Sequence, residues 1–195
     1  MVPHHLWGAA RGEHRGRPRT LVRSRVLAQQ GVNMPDEDFQ RSYRDSIGLF
    51  ASGVTVVVAA KDGEIRGMTA NAVTSLSLDP TLLIFCPAKD ARIASYCEVG
   101  SSFTINILGA HQEGVSNHFA GAETDPEHEF VAWDEAGDAP RIAGSLACIG
   151  CKTHAIHDGG DHWIVVGEVV ALHREEEPGE PLLFHRGGYR RLATD

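Results

Sequence analysis

Short runs of β-branched and apolar residues, separated by turn residues, recur along most of the chain. Residues 52–60 are largely apolar and are followed by Asp62-Gly63, a pair typical of two-residue hairpin turns. Residues 82–86 lie between two prolines and are too few for a helix, so they predict a buried strand. Residues 103–108 alternate between apolar and polar side chains, which also predicts a strand.

The last third of the sequence contains the strongest hairpin signal. Residues 145–157 and 162–174 are long strand-like segments, and the Asp158-Gly-Gly-Asp161 sequence between them is typical of a tight turn. Residues 181–192 predict one further strand or edge. Long antiparallel strands that follow several shorter ones indicate a barrel, so we predict a mainly β, antiparallel fold with short helices.

Helical periodicity is confined to short segments. Four large apolar side chains follow one another at helical spacing with charges between them, which predicts an amphipathic helix whose aromatic stripe packs in the core: Phe39, Tyr43, Ile47 and Phe50. Residues 88–98 have helical composition, and a second short helical pattern covers 111–119. Residues 121–140 are acidic and rich in glycine and proline, which predicts a surface segment.

Charge divides the 195-residue chain into two parts. Residues 1–33 contain six arginines and one glutamate, a net charge of +5, and the remaining 12 basic and 25 acidic residues give −13. We interpret residues 1–33 as an unstructured extension and residues 34–195 as one domain; a nucleic-acid tail and an organelle transit peptide are the alternatives for the extension. The acidic domain argues against a nucleic-acid partner, and every apolar run is too short to span a membrane.

Four cysteines occur in a chain without a secretory signal, so reduced thiols and a cytoplasmic location are expected. Cys148 and Cys151 have the spacing of a metal or redox motif. They lie within a predicted strand, however, where residues three apart point to opposite faces. We therefore predict no metal site.

The stretch from Gly67 to Pro80 differs from an ordinary core strand because it is rich in small and hydroxylated residues. Such side chains beside a glycine allow a backbone to approach a flat ligand and direct donors at it. Thr69, Asn71 and Ser75 are the candidates for these contacts. No nucleophile elbow, P-loop or dinucleotide GxGxxG motif is present.

Two further features have both a functional and an ordinary interpretation. Lys89 and Arg92 fall in the first turn of the predicted helix over 88–98, where they could form an anion site or a solvated helix start balanced by Asp90. His162 follows a Gly-Gly turn and is either a ligand contact or a polar residue at a strand start. Together with the donor-rich stretch, these features suit a phosphorylated, planar, redox-active ligand.

Four motifs, in this order along the chain, resemble the flavin reductase-like, FMN-binding split-barrel family. They are Phe50-Ala-Ser-Gly-Val-Thr-Val-Val57, Gly67-Met-Thr-Ala-Asn-Ala-Val-Thr-Ser-Leu-Ser-Leu-Asp-Pro80, Gly159-Gly-Asp-His162 with Val166-Gly-Glu-Val169, and Pro181-Leu-Leu-Phe-His-Arg-Gly-Gly-Tyr189. The resemblance covers about residues 39–192. It implies a split barrel that forms a homodimer, binds FMN or FAD, takes a hydride from NADH and supplies reduced flavin to a separate monooxygenase.

By position, the resemblance also implies a flavin site built from two segments of the chain. These residues are Thr69, Ala70 and Asn71 along the ribityl chain and phosphate, Ser75 and Leu76 at the isoalloxazine edge, Cys86, Pro87 and Ala88 in the neighbouring wall, and Lys89 and Arg92 on the phosphate. Family members often carry several hydroxyl side chains after the Cys-Pro step. Here the segment is Ala88-Lys-Asp-Ala-Arg92, which lacks these hydroxyls. The contacts to the phosphate, and the choice between FMN and FAD, are therefore left open.

Further along the chain, the resemblance implies that Asp161 and His162 lie where nicotinamide approaches and that Arg186 and Tyr189 frame the pocket. Each has an ordinary alternative: a turn residue for Asp161, a surface cation for Arg186 and a core side chain for Tyr189. The predicted enzyme uses NADH, with NADPH left open, and its oxygenase partner would act on an aromatic or steroid-like compound. The alternatives are a non-catalytic flavin carrier or sensor and a reductase of another acceptor.

Overall fold

An antiparallel sheet of seven strands dominates the computed structural model, which describes residues 37–121, 131–136 (backbone), 138–177 and 179–193. Residues 41–195 form one compact unit. The predicted extension over residues 1–33 lies outside the described residues. The elements are α1 Glu37–Ile47, β1 Ser52–Gly53, β2 Thr55–Lys61, β3 Glu64–Ala70, β4 Val73–Leu78, β5 Thr81–Phe85, a 3₁₀ helix Arg92–Tyr96, β6 Ser102–Ile107, α2 Glu113–Phe119, β7 Val131–Ala136, β8 Ala139–Ile142, β9 Ala147–Gly159, β10 His162–Arg174, β11 Leu183–His185 and β12 Gly188–Arg190.

The large sheet has the strand order β3-β2-β6-β9-β10-β5-β4. Both hairpins predicted from turn residues are confirmed. Asp62 and Gly63 between β2 and β3 have φ values of 53° and 81°, as a two-residue turn with two left-handed residues requires. Gly160, at the turn between β9 and β10, has φ 84°. These turns set the strand registers that bring the candidate residues to defined edges of the sheet.

Apolar side chains pack on both faces of this sheet. One cluster contains Val57, Phe85, Phe103 and Ile105, and a second contains Val56, Val58 and other residues covered in part by Phe119 of α2. The alternation of Val56, Val57 and Val58 between the two clusters follows from the two-residue period of a strand. The continuous apolar run of β2 therefore reflects a strand buried on both faces.

Four expectations about the elements need correction. Tyr43, Ile47 and Phe50 are 61%, 53% and 76% exposed, so the stripe of α1 is not in the core of the described chain. Periodicity identifies an apolar face but not what covers it. Within 121–140, β8 forms a hairpin with β7, and its Ala139 and Pro140 are buried. Residues 181–192 form two short strands rather than one.

The fourth correction concerns the segment after β5. It contains a 3₁₀ helix that begins only at Arg92, and Lys89 precedes it. Ala88 instead forms a β-bridge with His162, because the long β9–β10 hairpin extends past β5 and continues the pairing. A five-residue 3₁₀ helix has weaker hydrogen-bond geometry than an α-helix. The predicted helix start at residues 88–92 is therefore wrong, whereas anion binding by Lys89 and Arg92 stays a prediction.

Cys148 and Cys151 are buried, and neither forms a disulfide bond. Burial raises the pKa of the Cys151 thiol to about 12, and the nearby Cys148 adds to that shift. The Cys151 thiol therefore stays protonated and acts as a small apolar group. None of the helices in the described part of the chain is long and apolar enough to span a membrane.

Candidate active site

Asn71 lies between two cavities. The larger has a volume of about 660 Å³ and the smaller about 320 Å³, and Asn71 lines both. Asn71 and Ala72 form the whole connection between β3 and β4, the two outer strands of the seven-stranded sheet. The opening between these outer strands therefore has Asn71 at one end.

The smaller cavity is lined by polar groups that already bond to one another. The Thr69 hydroxyl donates to the Ser116 carbonyl oxygen at 2.6 Å. The Tyr189 hydroxyl lies 2.8 Å from Ser116 Oγ and 2.9 Å from Asn117 Oδ1. These contacts tie β3 and β12 to α2, so Thr69 and Tyr189 stabilise the wall of this cavity.

Gly67, like Thr69 and Tyr189, contributes to the wall of the smaller cavity. A Cβ atom at this position would lie 2.3 Å from the Phe119 ring, well inside contact distance. The sequence interpretation assigned this glycine to close approach of a ligand. The structure shows instead that it makes room for the aromatic side chain of α2.

The larger cavity has a mainly apolar lining. Its aliphatic residues come from β4, β5, β6, β9 and β10, and Ser52, Asn71 and Ser75 are among its polar lining residues. Ser52 Oγ is buried, and within the described part of the chain it has no hydrogen-bond partner. A hydroxyl in this condition is a candidate for contact with a bound polar group.

Ala70 and Leu76 line neither cavity. Ala70 is buried in the core, and Leu76 is 53% exposed. The register of β4 against β5 shifts between Ser75 and Ser77, so Leu76 has no paired residue on β5. The residues two positions away on either side, Thr74 and Leu78, are exposed as well, as the two-residue period of a strand predicts.

Five predicted residues meet at the tip of the β9–β10 hairpin. Ala88 pairs with His162, the Lys89 N–H donates to the Asp161 carbonyl at 3.0 Å, and the Trp163 N–H donates to the Pro87 carbonyl at 2.9 Å. The chain after β5 thereby continues the sheet beyond the end of that strand.

Side chains at this tip are also paired. His162 Nδ1 lies 2.7 Å from Asp161 Oδ1, and the hydrogen bond from His162 lowers the pKa of the Asp161 carboxyl. Lys89 forms an ion pair with Asp158, which lowers the pKa of that carboxyl. The Lys89 ammonium also lies 4.6 Å from the centre of the Trp163 ring.

Cys86 connects the hairpin tip with the two cavities. Its N–H donates to the carbonyl oxygen of Ala72, next to Asn71, at 3.2 Å. The thiol is partly buried, and burial raises its pKa. One continuous stretch of backbone contacts therefore leads from Asn71 through Cys86 to Ala88 and His162.

Two predicted residues lie apart from these groups. Arg92 is exposed at the start of the 3₁₀ helix. Arg186 occupies the β11–β12 turn with φ 52°, and its N–H donates to the Gly48 carbonyl at 2.8 Å. Neither arginine lines either cavity, so their binding roles remain predictions.

The sequence interpretation missed several residues of the site. Ser116 and Asn117 carry no motif that distinguishes them from other serines and asparagines. Ser52 lies within the Phe50–Val57 motif, to which no ligand contact was assigned. Trp163 and Asp158 had a usable signal, because they flank the Gly-Gly-Asp-His turn that was already a candidate. The pairing of that turn with Lys89 depends on the sheet order, which local patterns do not fix.

Comparison with known proteins identifies the family. Residues 47–193 match the model of the flavin reductase like domain. The chain is 42% identical over 154 residues to the reductase component of 4-hydroxyphenylacetate 3-monooxygenase from Thermus thermophilus, covering 79% of this chain and 97% of that protein. It is 35% identical over 176 residues to the FMN reductase (NADH) SmoA of Agrobacterium fabrum, covering 89% and 98%.

Solved structures support the same family assignment. The Streptomyces globisporus NADH:FAD oxidoreductase SgcE6, in complex with NAD and FAD fragments, aligns with a TM-score of 0.74 and 37% identity. The alignment covers 84% of this chain and 99% of that one. This similarity confirms the predicted split barrel. The chain belongs to the flavin reductase-like family.

Proposed function

We propose that this protein is an NADH-dependent flavin reductase that supplies reduced FMN or FAD to a separate monooxygenase. The observation that carries the proposal is the continuous connection from Asn71, between the two cavities, to His162 through Cys86 and Ala88. This connection joins the larger cavity, which suits a flat ring, to the tip of the β9–β10 hairpin, which suits a second ligand. Family membership provides the activity class.

The residues present fit a flavin. An aliphatic cavity of about 660 Å³ with a few polar groups in its lining has the composition expected of a site for a mainly flat, apolar ring with polar edges. The buried Ser52 hydroxyl, which has no partner in the described chain, offers a hydrogen bond to such an edge. Asn71 and Ser75 offer further polar groups in the same lining.

A bound flavin accepts a hydride from reduced nicotinamide, which is chemistry that amino-acid side chains do not supply. The role of the chain is to hold two ring systems in contact and exclude water. We assign ring placement to the aliphatic walls with Ser52 and Asn71. His162, held at Nδ1 by Asp161, presents its other ring nitrogen for orienting the nicotinamide.

The first test measures NADH oxidation with catalytic amounts of protein and added FMN, added FAD or no flavin. Turnover that requires added flavin supports the proposal and shows which flavin is preferred. The names of SmoA and SgcE6 include FMN and FAD respectively, so either outcome is compatible with the family. No turnover with either flavin, using NADH or NADPH, would contradict the proposal and favour a flavin carrier or sensor.

The role of His162 is tested by His162→Ala. We expect kcat/KM for NADH to fall on the order of tenfold, because orientation of the hydride donor is lost. Unchanged flavin reduction and unchanged NADH dependence would contradict the assignment.

We also propose that the protein is a homodimer in which the second copy covers the larger cavity. Phe50 and Leu172 both line this cavity, and both are 76% exposed. Exposed apolar side chains grouped around one opening are typical of a surface covered by a partner. Light scattering should give a dimer mass for the native protein.

The charge variant Leu172→Lys should shift the protein towards monomer and weaken flavin binding. Val99→Lys is the matched control, since Val99 is 69% exposed but does not line the cavity. A monomeric native protein would contradict the proposal. So would a dimer unaffected by Leu172→Lys.

The remaining parts of the proposal concern location and extent. No disulfide bond joins the four cysteines of the described chain, which supports a reducing, cytoplasmic compartment. The family match begins at residue 47, which supports residues 34–195 as the functional domain and residues 1–33 as an extension.

A further inference from the structure

The ion pair between Lys89 and Asp158 joins two segments that are distant in sequence. Lys89 belongs to the chain after β5, and Asp158 belongs to the end of β9. Asp158 Oδ1 also accepts the Gly160 N–H at 3.1 Å, so the same carboxylate stabilises the turn that leads to His162. The Asp158 side chain therefore stabilises both the turn between β9 and β10 and its contact with the chain after β5.

Backbone contacts on either side of this ion pair fix the same attachment. The Lys89 N–H donates to the Asp161 carbonyl, and the Trp163 N–H donates to the Pro87 carbonyl. His162 lies between these two bonds, paired with Ala88. The position of His162 therefore depends on how firmly the turn is held against residues 87–89.

The Lys89 ammonium is already engaged on two sides. It contacts the Asp158 carboxylate and lies 4.6 Å from the centre of the Trp163 ring. A phosphate ligand would have to replace these contacts at a point that the turn between β9 and β10 already occupies.

We propose that Lys89 and Asp158 are positioning residues for the nicotinamide nucleotide, holding the turn that carries His162. Lys89 then acts through His162 and does not bind the flavin phosphate. This inference rests on the proposed function. It replaces the phosphate role that the sequence resemblance implied for Lys89.

The exposure of the Lys89–Asp158 ion pair predicts that its loss affects NADH binding more than it affects stability. The side chains of Lys89 and Asp158 are 35% and 70% exposed, so water and salt screen their attraction. Loss of the pair should leave the melting temperature nearly unchanged. The effect should appear in NADH binding, because a small displacement of His162 disturbs the orientation of the nucleotide.

The test is the variant Lys89→Met, which keeps the aliphatic stem and removes the charge. We expect the KM for NADH to rise about fivefold because His162 is held less firmly against the nucleotide, with kcat and the KM for flavin changed less than about twofold. Lys89→Arg should restore most of the loss, since arginine can make both contacts. Lys61→Met is the matched control, because Lys61 pairs with Glu98 at 2.8 Å elsewhere on the surface.

Asp158→Asn provides the second arm because it removes the negative charge but keeps Oδ1 as an acceptor for Gly160. The double variant with Lys89→Met should be no worse than either single variant, as expected for two residues acting as one pair. A rise in the flavin KM with an unchanged NADH KM would overturn the proposal and identify Lys89 as a phosphate ligand. Additive losses would also overturn it.

Hydrogen exchange separates this inference from the proposed function. The backbone amides of Lys89 and Trp163 should exchange faster in Lys89→Met than in the native protein, whether or not the protein oxidises NADH. Absence of turnover in the native protein would contradict the proposed function alone. Unchanged exchange at both amides in Lys89→Met would contradict the positioning role alone.

Discussion

The two cavities beside Asn71 differ in whether each contains a buried hydroxyl without a protein partner in the described chain. In the smaller cavity, the hydroxyls of Thr69, Ser116 and Tyr189 bond to protein groups. In the larger cavity, the Ser52 hydroxyl is buried without a partner in the described chain. A polar residue that lines a cavity is therefore a candidate ligand contact only if its hydrogen bonds are not already made.

This difference also explains why resemblance and geometry disagree about some roles. Thr69 and Tyr189 occupy positions that the family resemblance assigns to the flavin pocket. Their side chains tie α2 and the C-terminal hairpin to the sheet, so they shape the site through the backbone. We expect variants of the smaller cavity to change stability and variants of the larger cavity to change flavin affinity.

The largest expected effect is that of Gly67→Val, which tests the smaller cavity as a packed wall. The added Cβ would lie 2.3 Å from the Phe119 ring, so the free energy of unfolding should fall by about 3 kcal/mol. Urea denaturation monitored by circular dichroism measures this change. Gly114→Ala is the control, since a Cβ there meets nothing within 4 Å and alanine favours the helix. Equal stability of the two variants would contradict the packing role.

An intermediate effect is expected for Ser52→Ala, which tests the larger cavity as the flavin site. Removing a hydroxyl that has no partner in the described chain should leave the free energy of unfolding unchanged or slightly higher. Loss of its hydrogen bond to a ligand should weaken flavin binding about fivefold. Flavin fluorescence titration measures the affinity. Unchanged affinity would show that the flavin does not contact Ser52.

The smallest expected effect is that of Tyr189→Phe. The variant removes the hydroxyl that contacts Ser116 and Asn117, so the free energy of unfolding should fall by about 0.5 kcal/mol. Flavin affinity should change less than about twofold, because this hydroxyl is already used within the protein. A large loss of flavin affinity with unchanged stability would reverse the comparison between the two cavities.

Local patterns were sufficient to predict the β2–β3 and β9–β10 hairpins and the strands β5 and β6 of the large sheet. The β-branched run of β2, the Asp62-Gly63 turn and the long β9–β10 hairpin all follow from residue preferences within a few positions. They also placed Asn71 at a strand end and His162 next to a turn. Asn71, which lines both cavities, and His162, at the tip of the β9–β10 hairpin, lie at the two ends of the candidate site.

Several of the errors concern what packs against an element rather than the element itself. The stripe of α1 is apolar, but its exposure depends on what covers it. Lys89 lies outside any helix, and its N–H donates to the Asp161 carbonyl at the turn between β9 and β10. Such contacts depend on sheet order and on residues distant in sequence.

The β9–β10 hairpin also has a consequence for the order of folding events. Its two strands are neighbours in sequence and meet through one tight turn, so the entropy lost on closing this loop is small. Pairing Phe85 with Val165 closes a much longer loop, and such contacts form more slowly. We expect the hairpin to form first and to act as a template on which β5 and the chain after it dock. The site would then be completed in the last steps of folding, when residues 86–89 meet the tip.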